Sequence, residues 1–312
     1  MTVEMRESLS RWIGGRNDTY IVHHERNLSR KHPETCKWIL NNRKYSTWIN
    51  EDTKSPVLWV YGRPGFGKSI LCSSVIDHIQ QSNNQNVAVM IFLRFDDPVQ
   101  EIDLFRNIAD QLMFLLFERV TGFPQALTSF LAGNRNDIRL LRKLIGLLIA
   151  ELDTKTYFFI DGIDEVYDTN IVGNLLNFLN HEVTNNRESL RLWCSSQPQS
   201  KIQLDQVITL ELKPSFVASD IKSYLKSAAE RSDNSDDYDK EYNTNLKVII
   251  DKFDPEGCFL LASSMVESLA STYSTFEMIE QADEFPQTME QYYERIMDRI
   301  LERDARGVEL AR

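Results

Sequence analysis

The chain has 312 residues, of which 42% are apolar and 26% charged, and its net charge is −11. That length suits two domains or one large domain with an attachment, and the apolar share excludes a disordered chain. The acidic balance argues against a nucleic acid or an anionic membrane surface as the main partner, while leaving room for a small basic pocket.

The polar, charged stretch 1–32 contains Gly14-Gly15 and is expected to be a flexible lead-in. It carries His23, His24 and His32, with Cys36 beyond them. Their spacing matches no zinc-finger pattern, so solvated side chains are expected. No apolar signal segment opens the chain, and no run reaches the roughly 18 apolar residues of a membrane span. A soluble, cytoplasmic protein is expected. Cys36, Cys72, Cys194 and Cys258 form no C-x-x-C pair and are expected to be free, buried thiols.

Residues 33–55 predict short helices, with Trp38, Ile39, Tyr45, Trp48 and Ile49 on shared stripes and a break at Asn41-Asn42. Val57–Tyr61 is a continuous apolar run, as in a buried parallel strand. Ile70–Gln80 reads as a helix, Val87–Phe95 as a strand, and Ile102–Val120 and Ile138–Leu152 as apolar helices. Thr156–Ile160 is a third strand, Ile171–Leu179 a helix, Ser189–Cys194 a fourth strand and Val207–Leu212 a fifth. Alternating strands and helices predict an α/β domain over 56–213, with a mainly parallel five-stranded sheet flanked by helices. From 214 to 312 the pattern turns all-α. It starts with a helix over Ser219–Ala229 that Ser219 would cap, and an acidic loop follows over 230–241. Helices then run over 246–253, 258–269, 275–282 and 288–301.

Gly62-Arg63-Pro64-Gly65-Phe66-Gly67-Lys68-Ser69 matches G-x-x-x-x-G-K-[ST] between a strand and a helix. Glycines let such a loop curl so that its N–H groups face phosphate oxygens. A lysine at the position of Lys68 reaches the outer phosphates, and the Ser69 hydroxyl can bind Mg²⁺ at a helix start that itself favours anions. Ile70 continues that first turn. Farther on, Tyr157-Phe158-Phe159-Ile160 ends in Asp161, placed to hold Mg²⁺. Asp164 and Glu165 can orient and deprotonate a water molecule. The fourth strand exits through Ser195-Ser196-Gln197-Pro198, where a polar side chain can approach the terminal phosphate.

Together these segments resemble the NACHT family of STAND P-loop NTPases, and within it the fungal NACHT and nephrocystin-type N-terminal domains. Thr35–Ile39 with Tyr45–Trp48 looks like the family's lead-in helices, Leu58–Leu71 like its Walker A segment, and Phe158–Glu165 like its acidic Walker B. Gly257–Ala262 and Phe285–Tyr293 resemble its helical domain. The family's sensor strand commonly ends in Ser-Arg-Pro, and Gln197 takes the place of that charged arginine. The resemblance implies an NTPase domain followed by a helical domain that runs into an incomplete winged-helix region. It implies ATP/ADP or GTP/GDP with Mg²⁺ as cofactors and slow hydrolysis as a switch. It also implies homo-oligomerisation on activation, with effector and repeat domains elsewhere in a longer gene product. The role implied is signalling in non-self recognition or programmed cell death. A module that holds nucleotide without turnover and a P-loop kinase are the alternatives.

Overall fold

The computed structural model describes residues 7–8, 11–14, 19–50, 53–83, 85–119, 130, 133–152, 154–198, 202–231, 240–272 and 274–310. They divide into two compact units. The first comprises residues 1–31, 37–62 and 68–211, and the second 32–36, 63–67 and 212–312.

The first unit is built on five strands: β1 (Val57–Tyr61), β2 (Val87–Phe92), β3 (Thr156–Asp161), β4 (Leu190–Ser196) and β5 (Val207–Glu211). They form one sheet in the order β2-β3-β4-β1-β5, and every pairing is parallel. A parallel sheet must be covered on both faces, which is why its strands are continuous apolar runs. On one face Val57, Trp59, Val89, Ile91, Phe158, Ile160, Leu192 and Cys194 share a core with α4 (Glu101–Arg119), α5 (Ile138–Leu152) and α6 (Thr169–Asn185). On the other lie α1 (Thr19–Arg30), α2 (Arg43–Ile49) and α3 (Lys68–Ser82). There Trp48 of α2 is fully buried and meets the rings of Tyr157, Phe159 and Trp193 edge-on. Such aromatic pairs add about 1 kcal/mol each beyond the area they bury.

Two buried polar side chains close gaps that apolar packing leaves. Arg191, on β4, donates to Trp48 O (2.7 Å) and to Asn50 O, satisfying carbonyls at the end of α2. Gln111 of α4 accepts from Met90 N–H (2.9 Å) and donates to Met90 O (2.8 Å), pairing with the outer side of edge strand β2 as a neighbouring strand would.

Three sequence expectations change here. The lead-in contains a regular helix, α1, which packs on α3 and β2. His24 on it is buried and stacks on Phe92, rather than being solvated. The sequence pattern conceals this helix because its inner stripe is polar: His24 and Asn27 stand where apolar residues would mark it. The strand expected to reach Phe95 stops at Phe92, because the chain turns at Arg94–Asp97 and Arg94 pairs with Asp96 at 2.9 Å. The remaining lead-in residues 1–6, 9–10 and 15–18 fall outside the described set.

The second unit is helical beyond Leu212: α7 (Pro214–Arg231), α8 (Lys240–Lys252), α9 (Phe259–Ala270), α10 (Thr275–Asp283) and α11 (Met289–Leu310). Its core gathers Val217, Ile221, Leu225, Leu246, Ile250, Leu261, Met265, Leu269, Met278 and Phe285. The helix expected to start at Ser219 starts at Pro214, a residue pre-set for a first turn. His32 packs its ring edge-on against Tyr224 and bonds Ser227 at 2.9 Å. It too is held by the fold rather than solvated. Most of the expected acidic loop, residues 232–239, lies outside the described residues. No helix among the described residues is long and apolar enough to cross a membrane.

Candidate functional site

In an open parallel sheet, ligand sites form beyond the carboxyl ends of the strands. In the first unit those ends bring Lys68, Ser69, Asp161, Asp164, Glu165 and the peptide of Gln197 together.

Asp161 is the last residue of β3 and is 4% exposed. Pairing of Ile160 with Cys194 sets it beside Ser195 of β4, whose hydroxyl donates to Asp161 Oδ1. The hydroxyl of Ser69, in the first turn of α3, bonds the same carboxyl group. Burial pushes the Asp161 carboxyl above the ordinary range, while the two serine hydroxyls and Lys68 pull it back. Lys68 opens α3 and donates from Nζ to Gly62 O at 2.8 Å. Burial holds its ammonium below the ordinary lysine range, opposed by Asp164, Asp161 and Glu165. A hydroxyl and a carboxylate side by side are the hard oxygen donors that Mg²⁺ takes, so Ser69 and Asp161 fit that ion.

After Asp161 the chain turns sharply. Gly162 has φ +79° and leads into a 3₁₀ turn over Ile163–Glu165. A Cβ at Gly162 would lie 2.4 Å from Leu93 O. Gly162→Ala is expected to cost about 3 kcal/mol of stability through that clash and the left-handed backbone. Denaturant unfolding measures it, and an unchanged midpoint would show that the turn accepts a side chain. The turn presents two acids, one gripped by a peptide N–H at the exit of β4 and the other by one in the turn that follows β2. Gln197 N–H donates to Asp164 Oδ1 (2.8 Å), and Phe95 N–H donates to Glu165 Oε2 (3.3 Å). Glu165 is largely exposed as a residue, yet its carboxyl is partly withdrawn from water. That desolvation raises it above the ordinary range, Asp161 and Asp164 add to the rise, and the Phe95 N–H and Arg94 oppose it.

In the second unit, residues 63–67 rest on the start of α9. Gly65 O accepts from Phe259 N–H at 2.8 Å. A Cβ on Gly65, where φ is +78°, would fall 2.5 Å from Cys258 Sγ. Cys258 caps α9, its sulfur accepting from Leu261 N–H at 3.4 Å. Phe66 is buried, whereas Arg63 and Pro64 are exposed.

Lys68, Ser69, Asp161, Asp164 and Glu165 thus lie together at the carboxyl end of the sheet. Ile70 is half-buried in the first turn of α3. Gln197 enters the site through its peptide N–H, which no side-chain pattern reveals. No motif ties Ser195, one member of the β4 exit, to Asp161. The signal available was the tandem serine at the end of β4, and only the strand register tells which serine faces Asp161.

No curated protein sequence matches the chain. Among solved structures, the Walker-type ATPase of Pyrococcus abyssi is similar at 11% identity and a TM-score of 0.49, over 89% of this chain and 77% of that one. Cdc6p of Pyrobaculum aerophilum is similar at 15% identity and a TM-score of 0.48, over 82% of this chain and 65% of that one. PCH-2 of C. elegans is similar at 12% identity and a TM-score of 0.42, over 91% and 69%. The family model described as nephrocystin 3, N-terminal matches residues 34–197, just over half of the chain. With an all-parallel sheet, a Gly62–Ser69 loop after its first strand and Asp161 ending its third, the fold is that of an α/β P-loop NTPase. The chain belongs to the nephrocystin 3 N-terminal family.

Proposed function

We propose that the protein binds a nucleoside triphosphate with Mg²⁺ at Gly62–Ser69 and Asp161, and hydrolyses it slowly as a signalling switch. The observation that carries this reading is the convergence of Lys68, Ser69 and Asp161 beyond the carboxyl ends of β1 and β3. Lys68 binds the outer phosphates as a point charge. Ser69 and Asp161 hold the ion, which when bound neutralises phosphate charge. Glu165 takes the proton of the attacking water, and Asp164 helps to orient that water. Gln197 brings no charge to the terminal phosphate, in keeping with slow turnover.

The finer reading follows the family resemblance. It is a NACHT/STAND switch in the cytoplasm that oligomerises when activated, linked to effector and repeat domains in a longer gene product. Its signal serves non-self recognition or programmed cell death. ATP and GTP both fit this reading. Calorimetric titration with each, with and without Mg²⁺, is expected to show saturable, Mg²⁺-strengthened binding of at least one; heats indistinguishable from dilution for both would overturn it. A second reading, retention of nucleotide without turnover, is favoured by the engagement of Asp164 by Gln197 N–H and by the missing arginine. Single-turnover hydrolysis separates the two.

A further inference from the structure

β4 ends in two adjacent buried serines, Ser195 and Ser196, both fully enclosed. Alternation along a strand sends their hydroxyls to opposite faces. Ser196 Oγ accepts from Trp59 Nε1 (2.9 Å) and donates to Gln197 O (2.8 Å), so it ties β4 to β1. Ser195 Oγ instead donates to Asp161 Oδ1. Its carbonyl accepts from Gly162 N–H at 3.1 Å, so one residue fixes both the Asp161 side chain and the peptide that follows. Ser69 reaches the same carboxyl from α3, but its hydroxyl oxygen would also serve as a ligand of the ion. The Ser195 bond comes from the opposite strand and can persist throughout.

We propose that Ser195 is a positioning residue that holds the Asp161 carboxylate in the orientation Mg²⁺ requires; this rests on the nucleotide-binding reading above. A hydroxyl proton has one direction of donation. By occupying Oδ1 it fixes the plane of the carboxylate and leaves the other oxygen to the ion. Without that bond the carboxylate rotates in its enclosure and must be reordered each time the ion binds. Partners one shell out from a metal ligand typically contribute ten- to a hundredfold in metal affinity, and an effect of about tenfold is expected here.

The test measures nucleotide affinity across a Mg²⁺ series and again in excess chelator, with circular dichroism as a check on folding. Ser195→Ala is expected to raise the Mg²⁺ concentration at half-effect about tenfold while leaving chelator-condition affinity unchanged. Ser195→Thr keeps the hydroxyl and is expected to restore the wild-type midpoint. Ser196→Ala, its equally buried neighbour, is expected to lower the melting temperature without moving the Mg²⁺ midpoint. If Ser195→Ala does not fold, Ser195→Cys, similar in shape but a weak donor, takes its place with the same expected shift. A wild-type Mg²⁺ midpoint in the serine-to-alanine or serine-to-cysteine variant overturns the proposal, as does an equal shift in Ser196→Ala. Absence of Mg²⁺-dependent binding in the unaltered protein would instead overturn the reading beneath it.

Discussion

Replacing Lys68 by alanine is expected to lower nucleoside triphosphate affinity at least about a hundredfold, from the loss of a charge-assisted contact worth about 3 kcal/mol. The loss exceeds one contact because of what remains. Asp161, Asp164 and Glu165 all act on the Lys68 ammonium. Without it, a polyanionic ligand would meet three acids lacking that counter-charge. The Gly62 carbonyl, which now accepts from Lys68 Nζ at 2.8 Å, would also lose its donor. Lys68→Arg is not a gentle control, since a planar fork cannot take the place of a compact ammonium beside that carbonyl. Binding of a fluorescent nucleotide measures the effect. Affinity within about threefold of the unaltered protein would remove the Gly62–Ser69 loop from the nucleotide site.

Glu165→Gln is expected to reduce single-turnover hydrolysis by about a hundredfold to ten-thousandfold, the usual contribution of a positioned base, with nucleotide affinity retained. Glu165 is favoured over Asp164 for two reasons. Desolvation, followed by the nearby charges of Asp161 and Asp164, lifts its carboxyl above the ordinary range, toward the value at which a base accepts a proton well near neutral pH. Asp164 meanwhile has Oδ1 engaged by Gln197 N–H. Asp164→Asn is therefore expected to cost less turnover. The acid limb of the pH–rate profile is expected above that of an ordinary glutamate, because the base works only once ionised and its raised value shifts ionisation upward. Full turnover in Glu165→Gln together with its loss in Asp164→Asn would exchange the two roles.

Much of this arrangement was legible in the sequence, for a physical reason. Parallel strands buried on both faces must be continuous apolar runs, so β1, β3 and β4 announced themselves. The phosphate-loop chemistry needs glycines, a lysine and a hydroxyl at fixed offsets, so Gly62–Ser69 did too. What stayed hidden depends on register or on the backbone. Helix α1 hid because His24 and Asn27 occupy its inner stripe. Ser195 hid because a serine pair reads the same whichever member faces β3. The early end of β2 hid because Leu93 and Phe95 continue its apolar pattern while the chain turns at Arg94. The grip on Asp164 and Glu165 hid because peptide N–H groups leave no trace in residue identity.

That grip has a consequence for how the site tolerates change. The two acids are steadied by main-chain donors at positions 95 and 197, so their placement is insulated from the side chains there. Chemistry at those positions is free to drift without disturbing the framework, provided proline, which lacks the N–H, stays out. An arginine or a glutamine at 197 alters what charge meets a ligand, while Asp164 keeps the same anchor. The scaffold of the site and its electrostatic tuning are thus written in separate parts of the same residue.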